Sequence, residues 1–195
     1  MPHDGGNARL RTTTGARAML VATFCALGAA VLHAAWNLAL KQGGDRYIAA
    51  SLQFLFGGLI FLPVMLAAGP PGSEALAWLG VSTLIHVGYV TALTRAYHNG
   101  DFSMAYPLAR GSGALLAALG GAVLLGDTVP FGGVLGMLIA GAGLLVLMQL
   151  GGTRAAYAWA LATGVLIASY TLVDTQGSRA SNGLGYAAAQ GMTVG

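Results

Sequence analysis

The feature that most constrains this chain is a series of long uncharged runs separated by short polar segments. A helix needs about 20 mainly apolar residues to cross a hydrocarbon core of about 30 Å. The runs predict transmembrane helices over residues 18–40, 47–68, 75–97, 102–125, 130–149 and 155–175. A basic tail, residues 1–17, precedes them, and an incomplete helix begins at about residue 184. The predicted fold class is therefore an all-α polytopic membrane protein.

Composition excludes the main soluble classes. Only 8% of the 195 residues are charged, whereas a soluble domain carries about 25%. The nine Lys and Arg residues do not cluster, so we expect no nucleic-acid partner, because a polyanion groove needs several cations on one face. The single cysteine, Cys25, excludes an internal disulfide and a thiolate metal cluster. We expect no cofactor and no metal site.

An internal repeat is visible when the chain is shifted against itself by 134 residues, which places 26–43 over 160–177. Eight of these 18 positions are identical, and Trp36 falls on Tyr170. One period contains five predicted helices, and this odd number means that the second unit enters the membrane upside down. Inverted repeats are typical of secondary transporters, whose substrate site lies near the midplane between the two units.

The first predicted helix carries polar residues on one face of its last two turns. His33, Asn37 and Lys41 recur at every fourth position, and Trp36 lies beside them. Polar residues inside membrane helices are costly and are candidates for function, so His33, Trp36 and Asn37 are candidate substrate-binding residues. The alternative is that a neighbouring helix satisfies His33 and Asn37. For Lys41 we favour the interpretation that its ammonium group extends to the lipid headgroups.

The third and fourth predicted helices carry further candidate substrate-binding residues. His86 and Tyr89 are three residues apart in the third, and Tyr106 and Arg110 are four apart in the fourth. Arg110 is the one cation deep inside a predicted helix, and a buried guanidinium needs an anion or several carbonyls. Its expected partner is either a substrate carboxylate or phosphate, or the backbone carbonyls that Pro107 frees.

Small residues form a stripe along the fifth predicted helix. Gly132, Gly136 and Ala140 recur at every fourth position, as do Gly133, Met137 and Gly141 on an adjacent stripe. In lipid, small residues are favoured where two helices approach closely, because packing replaces the missing hydrophobic drive. The stripes therefore predict a helix–helix interface within a bundle.

Two segments together resemble a known family. Residues 33–37, followed by Lys41, resemble the opening motif of EamA-like proteins of the drug/metabolite transporter superfamily. Residues 106–111, followed by an apolar run that ends at Asp127, resemble the fourth helix and the next loop of that family. The family usually has a glutamate at the position of Asp127, so the charge is kept.

The resemblance implies a specific architecture and function. Family members have ten transmembrane helices in two inverted five-helix units, and they move small metabolites or drugs across the bacterial inner membrane. On this basis the chain comprises one five-span EamA unit and the start of a second, inverted unit, as in a truncated member or a fragment. It would be a permease and not an enzyme, multi-pass in the cell (inner) membrane, with a cytoplasmic N-terminus. Its partners would be the lipid bilayer, a small-molecule substrate, and either a second copy or the missing half.

Two other classes of function compete with a transporter. A membrane sensor or assembly subunit that does not transport is one alternative. An intramembrane enzyme would need a serine–histidine pair, such as Ser112 with His33 or His86. Residues 110–113 are similar to the Gly-x-Ser-Gly motif of rhomboid proteases, but Arg110 replaces its first glycine, so we predict no catalytic residue.

Overall fold

A computed structural model describes residues 46–149 and 151–194, together with six helical positions between residues 20 and 31. The candidates His33, Trp36 and Asn37 lie outside the described residues. The chain divides into two compact units, residues 1–53 and 54–195.

The described residues from 46 onward form six helices and no strand. The helices are α1 (Arg46–Ala68), α2 (Ser73–Asn99), α3 (Phe102–Leu124), α4 (Phe131–Met148), α5 (Arg154–Ala180) and α6 (Gly183–Val194). The prediction of an all-α fold is confirmed for this part of the chain. Four of the helices, α2 to α5, are long and apolar enough to cross a membrane.

Short connections join the helices, and three of them contain a glycine in the left-handed region. Gly69, Gly126 and Gly151 have φ angles of 82°, 71° and 94°. A side chain with a Cβ atom is strained at such angles, so glycine is the usual residue just after the last turn of a helix.

The first turn of α5 is capped and tied to the end of α2 through one side chain. The hydroxyl oxygen of Thr153 accepts a hydrogen bond of 3.0 Å from the amide of Ala156. The same hydroxyl donates a hydrogen bond of 2.9 Å to the carbonyl oxygen of Asn99. Thr153 therefore satisfies a donor that the helix start leaves open, and it links two helices that are distant in sequence.

Helix α5 packs against α2 and α3 through small side chains. Ala96, Ala105, Ala109, Ala156 and Ala160 are fully buried in this core. A Cβ atom added to Gly113 would lie 2.7 Å from the Cβ atom of Ile167, and one added to Gly164 would lie 3.1 Å from the backbone nitrogen of Gly113. Glycine at both positions is what lets α3 and α5 approach this closely.

Helix α4 packs mainly against α3, and its two predicted stripes of small residues differ in burial. Gly132, Gly136 and Ala140 are exposed, and no atom of the described chain lies within 4 Å of a Cβ atom built on either glycine. The adjacent positions, such as Met137 and Gly141, are half-buried instead. Among the described residues, the stripe of Gly133, Met137 and Gly141 is thus the more buried of the two predicted stripes.

Helix α5 also extends further than predicted. The sequence interpretation ended this helix at residue 175, close to the charge of Asp174, but the helix continues to Ala180. The charge is tolerated inside the helix because the Asp174 carboxylate accepts hydrogen bonds from Tyr186 and Gln190, both in α6.

Helix α6 also contacts the C-terminal part of α1. The side-chain amide of Asn182, just before α6, donates a hydrogen bond to the carbonyl oxygen of Ala68. A Cβ atom added to Gly191 would lie 2.5 Å from the ring of Phe61. These contacts hold α6 between the end of α1 and the C-terminal half of α5.

Candidate functional site

Three helices bring one arginine, one histidine and three tyrosines together. We call this group the Arg110 cluster, and its members are His86, Tyr89, Tyr106, Arg110 and Tyr170. His86 and Tyr89 belong to α2, Tyr106 and Arg110 to α3, and Tyr170 to α5. The cluster therefore depends on the packing of all three helices.

The guanidinium of Arg110 contacts tyrosine side chains from different helices. Its Nη2 atom lies 3.5 Å from the hydroxyl oxygen of Tyr89, and its Cζ atom lies 5.8 Å from the centroid of the Tyr106 ring. The Tyr170 side chain lies close to the same guanidinium. A cation within about 6 Å of an aromatic ring is attracted by the negative face of that ring, so the tyrosines stabilise the half-buried charge.

His86 forms an aromatic wall of the cluster with two of the tyrosines. Its imidazole is stacked on the ring of Tyr170, with 3.9 Å between centroids and 27° between planes. The ring of Tyr89 meets Tyr170 edge to face, at 5.8 Å and 80°. Both arrangements are favourable for aromatic pairs, and they place flat surfaces next to the guanidinium.

A hydrogen bond to the backbone orients the imidazole of His86. The Nδ1 atom lies 2.9 Å from the carbonyl oxygen of Ser82, one turn earlier in α2. A carbonyl oxygen can only accept, so Nδ1 carries the proton in this bond. In the neutral imidazole the other nitrogen, Nε2, is then an acceptor.

The structure brings together four of the seven candidate binding residues, namely His86, Tyr89, Tyr106 and Arg110. Sequence reasoning missed Tyr170. The signal for it was the internal repeat, which places Tyr170 opposite Trp36, itself a candidate. The partner expected for Arg110 was either an anionic ligand or backbone carbonyls, whereas its contacts in the cluster are with tyrosine side chains.

A second polar group lies between α5 and α6 and was also missed. Asp174 Oδ1 accepts a hydrogen bond of 2.8 Å from the hydroxyl of Tyr186. Its Oδ2 atom accepts a longer one of 3.4 Å from Nε2 of Gln190. An open cavity of about 530 Å³ lies beside this carboxylate, and Tyr170 is part of its lining.

Ser112 and His86, the alternative catalytic pair, each have a hydrogen bond within their own helix. The Ser112 hydroxyl lies 3.3 Å from the carbonyl oxygen of Ala109, and His86 bonds to Ser82. Ser112 is buried where α3 meets Gly164 of α5. Within the described ranges, no group of three or more His, Cys, Asp or Glu side chains is placed to hold a metal ion.

Comparison of the chain with protein-family models, with curated proteins and with solved structures gave no match. The resemblance to EamA-like proteins therefore stays a prediction from the residues that carry it. The geometry of the Arg110 cluster is the main structural guide to function.

Proposed function

We propose that the chain is a membrane permease for a small solute that carries a carboxylate or phosphate group. The Arg110 cluster is part of the binding site. The observation that carries this proposal is the convergence of tyrosines from α2, α3 and α5 on one guanidinium inside an apolar bundle. In line with the resemblance to EamA-like proteins, the membrane is the bacterial inner membrane and the N-terminus is cytoplasmic.

The chemistry of the guanidinium supports an anionic solute. Arginine keeps its charge at every physiological pH, and its planar fork matches the two oxygens of a carboxylate or phosphate. Hydrogen bonds between ionised groups are about twice as strong as neutral ones, and a low dielectric strengthens them further. A solute anion that enters the cluster would thus be held by charge and orientation together.

The aromatic members support a solute with a flat ring. The stacked pair of His86 and Tyr170 presents ring faces beside the charge, and rings pair favourably in offset or edge-to-face contacts. Because the members belong to three helices, a shift of α5 against α2 and α3 would open or close the site. A site of this kind suits transport, where the solute must be released on the opposite side.

Reconstitution of the full chain into proteoliposomes tests transport. Labelled anionic metabolites are supplied outside, with and without a pH gradient, and uptake is compared with that of empty liposomes. Uptake of at least one anionic solute is expected. The absence of uptake for every anion tested, with protein correctly inserted, would contradict the proposal.

Substitution of Arg110 tests the site itself. Arg110→Lys keeps the charge but loses the planar pair of N–H donors that the guanidinium offers to two oxygens. We therefore expect affinity for phenyl phosphate to fall by about tenfold or more. The melting temperature in detergent should stay unchanged. Arg95→Lys is the matched control, because Arg95 is also an arginine beside an aromatic ring, with its Cζ atom 5.3 Å from the ring of Trp159.

Two results would argue against the site. A lower melting temperature with unchanged affinity would mean that Arg110 holds the helices together and does not bind solute. An equal loss of affinity in Arg95→Lys would mean that the loss is not specific to the position of Arg110.

A further inference from the structure

We propose that the cavity beside Asp174 is a second binding site, and that it takes the ammonium group of a small organic amine. This proposal goes beyond the anion site at Arg110 and does not depend on transport. The two sites share the Tyr170 side chain, but the charged group at each site is different.

The electrostatics of the cavity point to a cation. Two charged residues line it, Asp174 and Arg179. Arg179 is already paired, since its Nη2 atom lies 2.6 Å from Oδ1 of Asp127. The hydrogen-bond donors that reach Asp174 are neutral, namely Tyr186 and Gln190. In the described part of the chain, the cavity therefore has a carboxylate whose charge its own lining does not neutralise.

The hydrogen-bonding groups of the cavity favour a ligand that donates hydrogen bonds. An ionised carboxylate has about four acceptor positions, and two of those on Asp174 are used by Tyr186 and Gln190. The hydroxyl of Thr171 donates its proton to the carbonyl of Ile167 at 2.7 Å, so its oxygen keeps acceptor capacity. A primary ammonium carries three donors and no acceptor, which complements this set.

The size and the aromatic lining of the cavity fit a small amine that carries a ring. Its volume is about 530 Å³, within the range of about 300–1,000 Å³ that is usual for small-molecule sites. The rings of Tyr170 and Tyr186 line it. Aromatic rings beside a carboxylate add cation–π attraction for an ammonium ion.

The position of Asp174 leaves one side of its carboxylate open. It lies six residues before the C-terminal end of α5 and is half-buried, whereas its partner Tyr186 is only 2% exposed. The buried Tyr186 hydroxyl fixes one carboxylate oxygen, while the open cavity leaves the carboxyl group accessible to a ligand.

Calorimetric titration of the full chain in phosphatidylcholine nanodiscs tests the proposal. The probes are benzylamine and its uncharged analogue benzyl alcohol, and empty nanodiscs supply the blank. We expect benzylamine to bind about tenfold or more tightly than benzyl alcohol, because the carboxylate recognises its charge. Equal affinities for the two probes would overturn the proposal, and this comparison needs no variant.

The Asp174→Asn variant tests whether Asp174 is the residue that binds the ammonium group. Asparagine still accepts a hydrogen bond from Tyr186, and its amide group can pair with the oxygen of Gln190, so the contact between α5 and α6 is kept. We expect benzylamine affinity to fall by about tenfold or more, with an unchanged melting temperature. Asp101→Asn is the matched control, and it should keep the native affinity, because Asp101 is exposed and does not line the cavity.

Two outcomes would show that Asp174 does not bind the ammonium group. Native affinity in Asp174→Asn would show that benzylamine binds elsewhere, and an equal loss in Asp101→Asn would show that it follows the overall charge. Either result would leave the anion site at Arg110 untouched, because phenyl phosphate binding and the Arg110→Lys variant are measured separately.

Discussion

Helices α4 and α5 have similar sequence signatures but opposite positions in the structure. Of the four helices that can cross a membrane, α4 has the highest mean hydropathy, yet none of its residues is buried. Helix α5 is less apolar and contains seven buried residues. In lipid, long apolar side chains mark the outward face of a bundle, and small or polar residues mark the inner helices.

The glycines of the two helices show the same contrast. Gly164 of α5 is buried against α3, whereas Gly136 of α4 has no described atom within 4 Å of the place where its Cβ would be. A small residue allows close approach, but the approach occurs only where a neighbouring helix offers a matching surface. The Gly113 backbone of α3 is such a surface for Gly164.

The largest effect that separates the two helices should come from deleting isoleucine side chains. Ile167 of α5 is 7% exposed and Ile139 of α4 is 65% exposed. Ile167→Ala should lower the free energy of unfolding by about 2–5 kcal/mol, because it leaves a cavity. Ile139→Ala should change it by less than about 0.5 kcal/mol. Thermal unfolding in detergent measures both, and equal losses would mean that α4 is packed as tightly as α5.

A smaller effect is expected from adding one methyl group at a glycine. Gly164→Ala should cost about 1–3 kcal/mol of unfolding free energy through overpacking, because the new Cβ meets Ser112 and the backbone of Gly113. Gly136→Ala, the matched control, meets no described atom within 4 Å and should leave stability unchanged or slightly raised. A destabilised Gly136→Ala would show that the exposed face of α4 has a partner.

The smallest effect concerns how each helix begins. Helix α5 is capped by the Thr153 side chain, whereas Pro130, which precedes α4, makes no side-chain cap. Thr153→Ala should cost about 0.5–2 kcal/mol of unfolding free energy, read as a lower melting temperature. Thr153→Ser keeps the hydroxyl and should recover most of that loss. If serine fails to do so, the methyl group of Thr153 matters more than its two hydrogen bonds.

Much of the fold could be predicted because the rule behind it is simple. Uncharged runs of about 20 residues predict membrane helices, and α2 to α4 lie over the predicted ranges within a few residues. The end of α5 could not be predicted in this way. Asp174 is satisfied by Tyr186 and Gln190, which lie 12 and 16 residues later in the chain, and no local pattern shows that pairing.

The candidate site was predictable in part for a related reason. Arg110 stands out because a charge deep in a membrane helix is costly. Its neighbours Tyr89 and Tyr170 depend on how α2 and α5 are rotated, and helices that are apolar on nearly every face have no amphipathic pattern from which to read that rotation. The same lack of pattern explains why the sequence could not show which of the two stripes of α4 is the more buried.

The different lengths of α4 and α5 determine how each would match a bilayer. At 1.5 Å per residue, the 18 residues of α4 extend about 27 Å, close to the hydrocarbon core of about 30 Å. Arg154 and Arg179 stand near the two ends of α5, about 38 Å apart, which approaches the thickness of about 40–45 Å that includes both headgroup layers. In a thinner membrane α5 would therefore be the first of the two helices to exceed the bilayer thickness, and it would have to tilt. Helix α4, which is shorter, would still fit without tilting.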